Sequence, residues 1–238
     1  MISRLSDFIW PPRSLLSETI VDRPGVIEPA LWGELRSLGE PLCSCCGFPL
    51  PDDPGPGALC GACAAHKPAF DSARAALAYD DHARRLVLDL KRGGRRDGLP
   101  VFAGWMVAAA GPTLQRADFV APAPMHWTRL ATRSFNQAAW LAAALARAAG
   151  KPWRPAALTR VKRRKSQAGL SASERRRNVA GAIKANGRYK GKTVLVVDDV
   201  FTTGATLEAC ARAFRKAGAA EVHAVTLARV VRPIDISI

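Results

Sequence analysis

The pattern of hydrophobic and polar residues changes near residue 70. Before that point the apolar residues form short, irregular runs, and ten of the chain's 17 prolines lie among them. From about residue 72 the apolar residues follow the periods that are typical of strands and helices. The pattern therefore predicts a loop-rich module over residues 1–70 and a larger, regular domain over residues 71–238.

The larger domain is predicted to alternate strands with helices. Short apolar runs predict strands over Ala73–Tyr79, Phe119–Ala123, Thr193–Val197 and Glu221–Leu227. Helical spacing predicts helices over His82–Lys91, 99–110, Asn136–Ala149 and Ala205–Ala217. The last two of these helices are followed by Gly150 and Gly218, which favour the end of a helix. Strands that alternate with helices indicate an α/β domain with a mainly parallel central sheet.

Composition limits the class of protein. The 238 residues are 48% hydrophobic and 23% charged, which excludes a largely disordered chain. No stretch reaches the roughly 20 apolar residues that a membrane helix needs, and the N-terminus lacks the basic start and apolar run of a signal peptide. We therefore expect a cytoplasmic protein without a membrane span.

Charge is unevenly distributed between the two parts of the chain. Residues 1–70 carry five Lys or Arg against eight Asp or Glu, a net charge of −3, whereas residues 71–238 carry 30 against 12, a net charge of +18. Such an excess predicts a polyanionic partner, either nucleic acid or a phosphorylated substrate. A basic surface that serves only solubility is the alternative.

Five of the six cysteines lie between residues 43 and 63. Two Cys-x-x-Cys pairs, separated by 13 residues, place Cys43, Cys46, Cys60 and Cys63 at the spacing of a four-cysteine zinc site. A disulfide framework is the alternative, but it requires an oxidising compartment. Cys45 competes with Cys46 for one position, although the two-residue spacing favours Cys46.

The segment from Val194 to Thr206 contains the chain's most informative chemistry. A buried strand leads into Asp198 and Asp199, and then into a threonine- and glycine-containing turn that opens a helix. Backbone N–H groups and hydroxyls of the turn 202–206 form a phosphate-binding cradle beside the positive end of the helix dipole. The two carboxylates can accept hydrogen bonds from sugar hydroxyls. The alternative is a helix cap with no ligand.

This segment resembles the phosphoribosyl pyrophosphate (PRPP) signature of type I phosphoribosyltransferases, except that Phe201 stands where an aliphatic residue is usual. The segments 121–137 and 160–182, together with the cysteine pairs, resemble the ComF/GntX group of competence proteins. The resemblance implies a type I phosphoribosyltransferase fold preceded by a small zinc ribbon.

The resemblance also implies roles for individual residues. Asp198 and Asp199 would hold the ribose hydroxyls, and Arg129 would act with them in catalysis. Mg²⁺ would bridge the pyrophosphate and the ribose. The remaining groups of PRPP would be bound by Thr202, Thr203, Gly204, Ala205, Thr206, His126 and Arg133. The basic stretch 160–177 would close over the site, or else serve as a disordered tether.

Many members of this group carry two zinc sites. The residues that match the first set of ligands are Ser14, Ser17, Glu28 and Leu31. Serine and leucine are not useful zinc ligands. We therefore expect one structural zinc ion per chain, held by the later set of four cysteines.

Two classes of function follow from the resemblance. One is an enzyme that transfers a phosphoribosyl group from PRPP to an unidentified acceptor. The other is a non-catalytic accessory protein of natural transformation, which binds single-stranded DNA on an inherited fold and meets the competence machinery. Only 7% of the residues are aromatic, which argues against extensive base stacking. A regulator that senses PRPP would carry the same signature.

Overall fold

The structure is a computed structural model that describes residues 11–92, 95–125, 135–161 and 182–231. Three predicted site residues, His126, Arg129 and Arg133, lie outside the described residues. So does most of the basic stretch 160–177, of which only Arg160 and Val161 are described.

The larger domain is built on a four-stranded parallel sheet. Its strands, which have the spatial order β1-β6-β5-β2, are β1 (Ser72–Ala78), β2 (Phe119–Pro122), β5 (Thr193–Phe201) and β6 (Glu221–Arg229). A separate antiparallel pair joins β3 (Leu158–Arg160) to β4 (Ile183–Ala185). The parallel sheet confirms the predicted α/β architecture.

Six α-helices are described. They are α1 (Pro29–Trp32), α2 (Gly61–Ala65), α3 (Asp81–Lys91), α4 (Leu99–Arg116), α5 (Gln137–Ala148) and α6 (Ala205–Lys216), and a short 3-10 helix spans Arg96–Gly98. The Asp80 side chain caps α3 by accepting a hydrogen bond from the N–H of Ala83 at 2.9 Å. No helix in the described part of the chain is long and apolar enough to cross a membrane.

Strand β5 forms the centre of the sheet, because it pairs with β2 on one side and β6 on the other. Its residues Val194–Val197 are fully buried. Successive side chains alternate between the two faces, so Val194 and Val196 pack with Phe214 of α6, whereas Leu195 and Val197 join the core formed with α3, α4 and α5. Buried faces on both sides explain why this strand is a continuous apolar run.

The N-terminal module packs along the free edge of β1. The N–H of Ala73 donates to the carbonyl of Cys45 at 2.7 Å, and the N–H of Leu38 donates to the carbonyl of Ala76 at 3.0 Å. Gly47 has φ +68°, and a Cβ atom there would lie 2.6 Å from the Ala73 carbonyl oxygen. The close approach of the cysteine turn to the sheet therefore requires glycine.

The opposite edge of the sheet is also covered. Residues 152–154 pair with β2, since the N–H of Val120 donates to the carbonyl of Pro152 and the N–H of Arg154 donates to the carbonyl of Val120, both at 2.9 Å. Both outer strands thus have backbone partners outside the sheet.

Candidate functional site

The predicted cradle lies at the carboxyl end of β5. The strand runs beyond its predicted end at Val197, through both aspartates to Phe201, because it remains paired with β6 over that length. Gly204 then adopts φ +78° as the N-cap of α6. A Cβ atom at Gly204 would lie 2.6 Å from the ring of Phe201. Glycine is thus required both for the turn and for the aromatic ring beneath it.

An open pocket of about 570 Å³ lies beside this strand end. Its lining comes from β5, the turn that follows it, the segment after β2, the end of α3 and the start of α5. The predicted residues that line it are Asp198, Asp199, Thr202 and Thr206. Ligands bind at this position in many open parallel sheets, at the carboxyl ends of strands.

The predicted cradle residues divide between two surfaces. Thr206 lines the pocket, Thr203, Gly204 and Ala205 line a second groove on the side of the cysteine module, and Thr202 lines both. The turn that was expected to hold one phosphate therefore separates two concave surfaces.

Two basic residues to which the sequence motif assigns no individual role also line the pocket. Lys91, the last residue of α3, places its Nζ atom 3.2 Å from Oδ2 of Asp199. Arg160, the last residue of β3, has a buried Nε–H group without a hydrogen-bond partner among the described residues. Basic groups that converge on one pocket favour an anionic ligand.

Burial, followed by the neighbouring carboxylate of Asp199, raises the pKa of Asp198 to about 7, against the opposing effects of a backbone N–H, Lys91 and Arg160. A carboxyl group that titrates near neutral pH at a strand end is typical of a functional site. Its side chain remains partly open to the pocket.

Two amides shape the wall of the pocket at the start of α5. Asn136 caps the helix by accepting a hydrogen bond from the N–H of Ala138 at 3.0 Å, and its amide donates to the carbonyl of Ala123 at 3.1 Å. Gln137 is buried and donates to the carbonyl of Lys91 at 3.5 Å. These bonds tie the segment after β2 and the end of α3 to one helix.

The four cysteines of the two pairs converge on one point. The Sγ atoms of Cys43, Cys46, Cys60 and Cys63 all lie within 4.8 Å of one another. The Sγ atoms of Cys46 and Cys60 are 3.6 Å apart, close to the ~3.8 Å that a tetrahedral site with Zn–S bonds of about 2.3 Å requires. All six cysteines are free thiols, so this arrangement fits zinc and not a disulfide framework.

The ambiguous cysteines are also placed. Cys45 is buried but does not belong to the group of four, as the spacing predicted. Cys210 is fully buried in α6 and packs in the core, again as predicted.

A different cluster occupies the upstream positions that match the first set of ligands. The hydroxyls of Ser14 and Ser17 both donate hydrogen bonds to the carboxylate of Glu28. The two hydroxyls, Ser14 first, lower the pKa of Glu28. Leu31 packs against the apolar core. The cluster contains one carboxylate and no thiol or imidazole, so its donor set does not fit zinc.

Comparison with known proteins identifies the domain and its relatives. The phosphoribosyl transferase domain matches residues 132–233. The chain is 30% identical to DNA utilization protein YhgH of Salmonella typhimurium over 195 residues, which cover 80% of this chain and 85% of that protein. It is 34% identical to Competence protein F of Haemophilus influenzae over 119 residues, which cover about half of each.

Among solved structures, orotate phosphoribosyltransferase from Aeropyrum pernix aligns with 66% of this chain and 71% of its own, at 20% identity and a TM-score of 0.37. The domain match and the sheet described above agree with the sequence signature at β5. The chain therefore belongs to the ComF/GntX family of competence and DNA utilization proteins, within the type I phosphoribosyltransferase superfamily.

Proposed function

We propose that the pocket at the end of β5 binds PRPP together with Mg²⁺. The observation that carries the proposal is the joint placement of Asp198, Asp199, Thr202 and Thr206 in one pocket at the mouth of a parallel strand. The 5-phosphate would occupy the turn before α6, where N–H groups and the helix dipole favour an anion. The ribose hydroxyls would donate to the two carboxylates.

On this proposal the pocket promotes the reaction by positioning the substrate and stabilising charge, and no side chain acts as a nucleophile. Loss of pyrophosphate from a ribosyl centre creates a cation-like carbon and a highly charged leaving group. The two aspartates favour positive charge near the sugar, and Lys91 and Arg160 favour negative charge at the leaving group. Mg²⁺ would arrive with PRPP and neutralise part of the charge of its pyrophosphate.

Lys91 forms an ion pair with Asp199 in the described state. Ribose hydroxyls that approach Asp199 compete with that ion pair, so Lys91 becomes available to an anionic group of the ligand. Arg160 also lines this pocket, and its buried Nε–H has no hydrogen-bond partner among the described residues. We infer that these two residues bind the pyrophosphate, in the place where His126, Arg129 and Arg133 are also expected from the sequence.

A second candidate is supported by the relatives' names and by the charge of the chain. The curated relatives are named for DNA utilization and competence, and residues 71–238 carry a net charge of +18. On this proposal the protein binds single-stranded DNA along its basic surface, with or without turnover at the pocket. The two functions are compatible, since a sugar phosphate can occupy the pocket while DNA follows the surface.

Calorimetry with PRPP and Mg²⁺ tests the first proposal. We expect one PRPP per chain, and Asp198→Asn combined with Asp199→Asn should weaken binding by at least about tenfold while the fold is retained. Asp89→Asn is the matched control, because Asp89 does not line the pocket and, among the described residues, forms ion pairs with Arg85 and Arg92. Equal affinity in the double variant and the control would contradict the proposal. Pyrophosphate release across a panel of bases then measures turnover.

The pH dependence gives a sharper test of Asp198. An ionised carboxylate is a better acceptor for a ribose hydroxyl than a protonated carboxyl group, so PRPP affinity should rise as pH increases through about 7, where Asp198 ionises. Asp198→Asn should bind more weakly and lose this pH dependence. An unchanged pH profile in the variant would show that another group controls binding.

The salt dependence of single-stranded DNA binding tests the second candidate function. Affinity for single-stranded DNA should fall steeply with salt, because neutralised phosphates release counterions. Arg163→Ala, Arg164→Ala and Lys165→Ala together should weaken DNA binding and flatten its salt slope. If these changes abolish pyrophosphate release and leave DNA binding intact, the stretch 160–177 serves the enzyme reaction.

A further inference from the structure

A buried arginine connects the cysteine centre with the phosphate cradle. Arg229, the last residue of β6, is only 5% exposed. Its guanidinium donates a hydrogen bond to the carbonyl of Cys46, inside the first cysteine turn. The guanidinium carbon also lies 4.5 Å from the ring centre of Phe201 and 5.3 Å from that of Phe48. One cation thus contacts both functional regions.

Phe201 carries this contact into the cradle. Its ring lies against Gly204, so closely that a Cβ atom there would be 2.6 Å from the ring. Gly204 in turn is the N-cap of α6, whose first N–H groups form the proposed phosphate site. A displacement of the Phe201 ring therefore alters the support beneath the cradle, since packed interiors leave little free volume.

Arg229 is a buried cation beside the cysteine centre. Among the described residues no carboxylate forms an ion pair with this guanidinium, and its Nε–H has no hydrogen-bond partner. A buried cation without a counter-charge is costly. Four thiolates around Zn²⁺ carry a net charge of −2, and Arg229 lies against one of the four ligand residues. Zinc bound by these cysteines would therefore supply a counter-charge that no described carboxylate provides.

We propose that Arg229 couples zinc binding to the conformation of the phosphate cradle. Zinc holds Arg229 between the cysteine turn and Phe201, and Phe201 then supports Gly204 in its left-handed conformation. The same coupling acts in reverse, so a ligand that fixes the cradle raises the affinity for zinc. The part of this proposal that concerns PRPP rests on the proposed function, whereas the part that concerns the cradle's conformation does not.

The cysteine module also contacts α6 at a second point, which the test has to distinguish from the contact of Arg229. The N–H of Ala69 donates to the carboxylate of Glu208 in α6 at 2.7 Å, so the segment after the last cysteine also touches the helix. Removal of zinc can therefore affect the cradle through the contact of Arg229 with Phe201 or through the hydrogen bond of Ala69 with Glu208. A variant of Arg229 removes only the first of these two contacts. Arg74→Ala is the matched control, because Arg74 donates to the carbonyl of Ser44 in the same cysteine turn at 3.2 Å but does not line the groove.

Hydrogen exchange of the peptide 201–208 measures the coupling without any ligand. In the wild type, removal of zinc by a chelator should raise the exchange rate of these amides by about tenfold. Arg229→Ala should exchange fast with and without zinc, while Arg74→Ala should behave as the wild type does. Slow, zinc-dependent exchange in Arg229→Ala would overturn the proposal.

Arg229→Lys covers the case in which the alanine variant fails to fold or to bind zinc. Lysine keeps the positive charge beside the thiolates but cannot bridge the Cys46 carbonyl and the Phe201 ring together. We expect one zinc per chain and loss of the tenfold effect. Full retention of the effect would overturn the role of Arg229.

PRPP gives the reciprocal measurement. Saturating PRPP and Mg²⁺ should raise the zinc affinity of the wild type by the same factor by which zinc raises PRPP affinity, and neither effect should appear in Arg229→Lys. If the wild type shows zinc-dependent exchange but binds no PRPP, the proposed function fails and the coupling stands. If it binds PRPP equally well with and without zinc, and exchange is also unaffected, the coupling fails.

Discussion

The two halves of the N-terminal module each join two turns of the chain, but they join them through different side chains. Each half joins two short turns whose key residues are three positions apart: Cys43 with Cys46 and Cys60 with Cys63 in one half, Ser14 with Ser17 and Glu28 with Leu31 in the other. The cysteine half brings four Sγ atoms to one point, whereas the upstream half joins two hydroxyls to one carboxylate and packs Leu31 against the core.

The difference shows what each half needs in order to fold. Four thiolates repel one another unless a cation lies between them, so the cysteine half is expected to depend on metal for much of its stability. A carboxylate that accepts two hydroxyl hydrogen bonds needs no ion, and such bonds to a charged group contribute about 1.5–3 kcal/mol each at most. The upstream half is therefore expected to be weaker but independent of metal.

The largest effect is expected from Cys46→Ser. It should release zinc and destabilise the module on the order of 5 kcal/mol, because binding of structural zinc contributes about 10–16 kcal/mol in small zinc domains. Metal analysis and hydrogen exchange over residues 41–66 measure the two effects. Cys45→Ser is the control and should keep one zinc per chain, since Cys45 lies outside the group of four. Zinc retained by Cys46→Ser would show that Cys45 replaces it.

Replacing the four key residues of the upstream half with cysteine should give it the chemistry of the cysteine half. Changing Ser14, Ser17, Glu28 and Leu31 together to Cys should raise the zinc content from one to two ions per chain. The three polar positions already lie close together through their hydrogen bonds, so the new thiols have the required proximity. A content that stays at one ion would show that Leu31 cannot leave the core to complete the site.

Glu28→Ala should have a smaller effect. It leaves the fully buried hydroxyl of Ser14 without an acceptor for its O–H group, and we expect a loss of about 1–3 kcal/mol in the free energy of unfolding. Denaturant unfolding measures the loss. Glu34→Ala is the control, because Glu34 is exposed and lies 4.0 Å from its nearest partner, His82. Zinc content should stay at one ion in both variants, and a lower content in Glu28→Ala would mean that the cluster binds metal after all.

The smallest effect is the acid sensitivity of the upstream half. Hydrogen bonds from Ser14 and Ser17 lower the pKa of Glu28, so its contribution to stability is present above the carboxyl's ordinary pKa and is lost as pH falls through the lowered value. Hydrogen exchange over residues 14–28 should therefore accelerate in acid in the wild type. Glu28→Gln should remove this pH dependence. A variant that keeps the wild-type pH profile would place the acid-sensitive group elsewhere.

Elements with strong local signals could be predicted from the sequence. The helices α3, α5 and α6 agree with the prediction to within a residue or so, because polar caps precede α3 and α5 and glycines follow α5 and α6. Helix α4 extends to Arg116, beyond its predicted end near residue 110. Gly111, however, adopts a non-helical φ of +49°, so the first helical segment does end at the predicted position and a second segment follows it across a kink.

Elements that depend on tertiary contacts could not be predicted. Strands β3 and β4 have three residues each, and only the first residue of each is buried, so neither shows a strand period. Their pairing places Arg160 at the pocket. The ion pair of Lys91 with Asp199 likewise joins the end of α3 to a strand far along the chain. The sequence signature could identify the aspartates and threonines, but not the basic residues that face them.

The backbone contacts of β1 and β2 have a consequence for solubility. An outer strand with unpaired N–H and C=O groups is a template for pairing with another molecule. The module shields β1 through residues 36, 38 and 45, and the segment 152–154 shields β2. A chain cut before residue 71 would keep its pocket residues but expose the backbone of β1. Such a fragment should assemble edge to edge as its concentration rises, so the N-terminal module also protects the domain against aggregation.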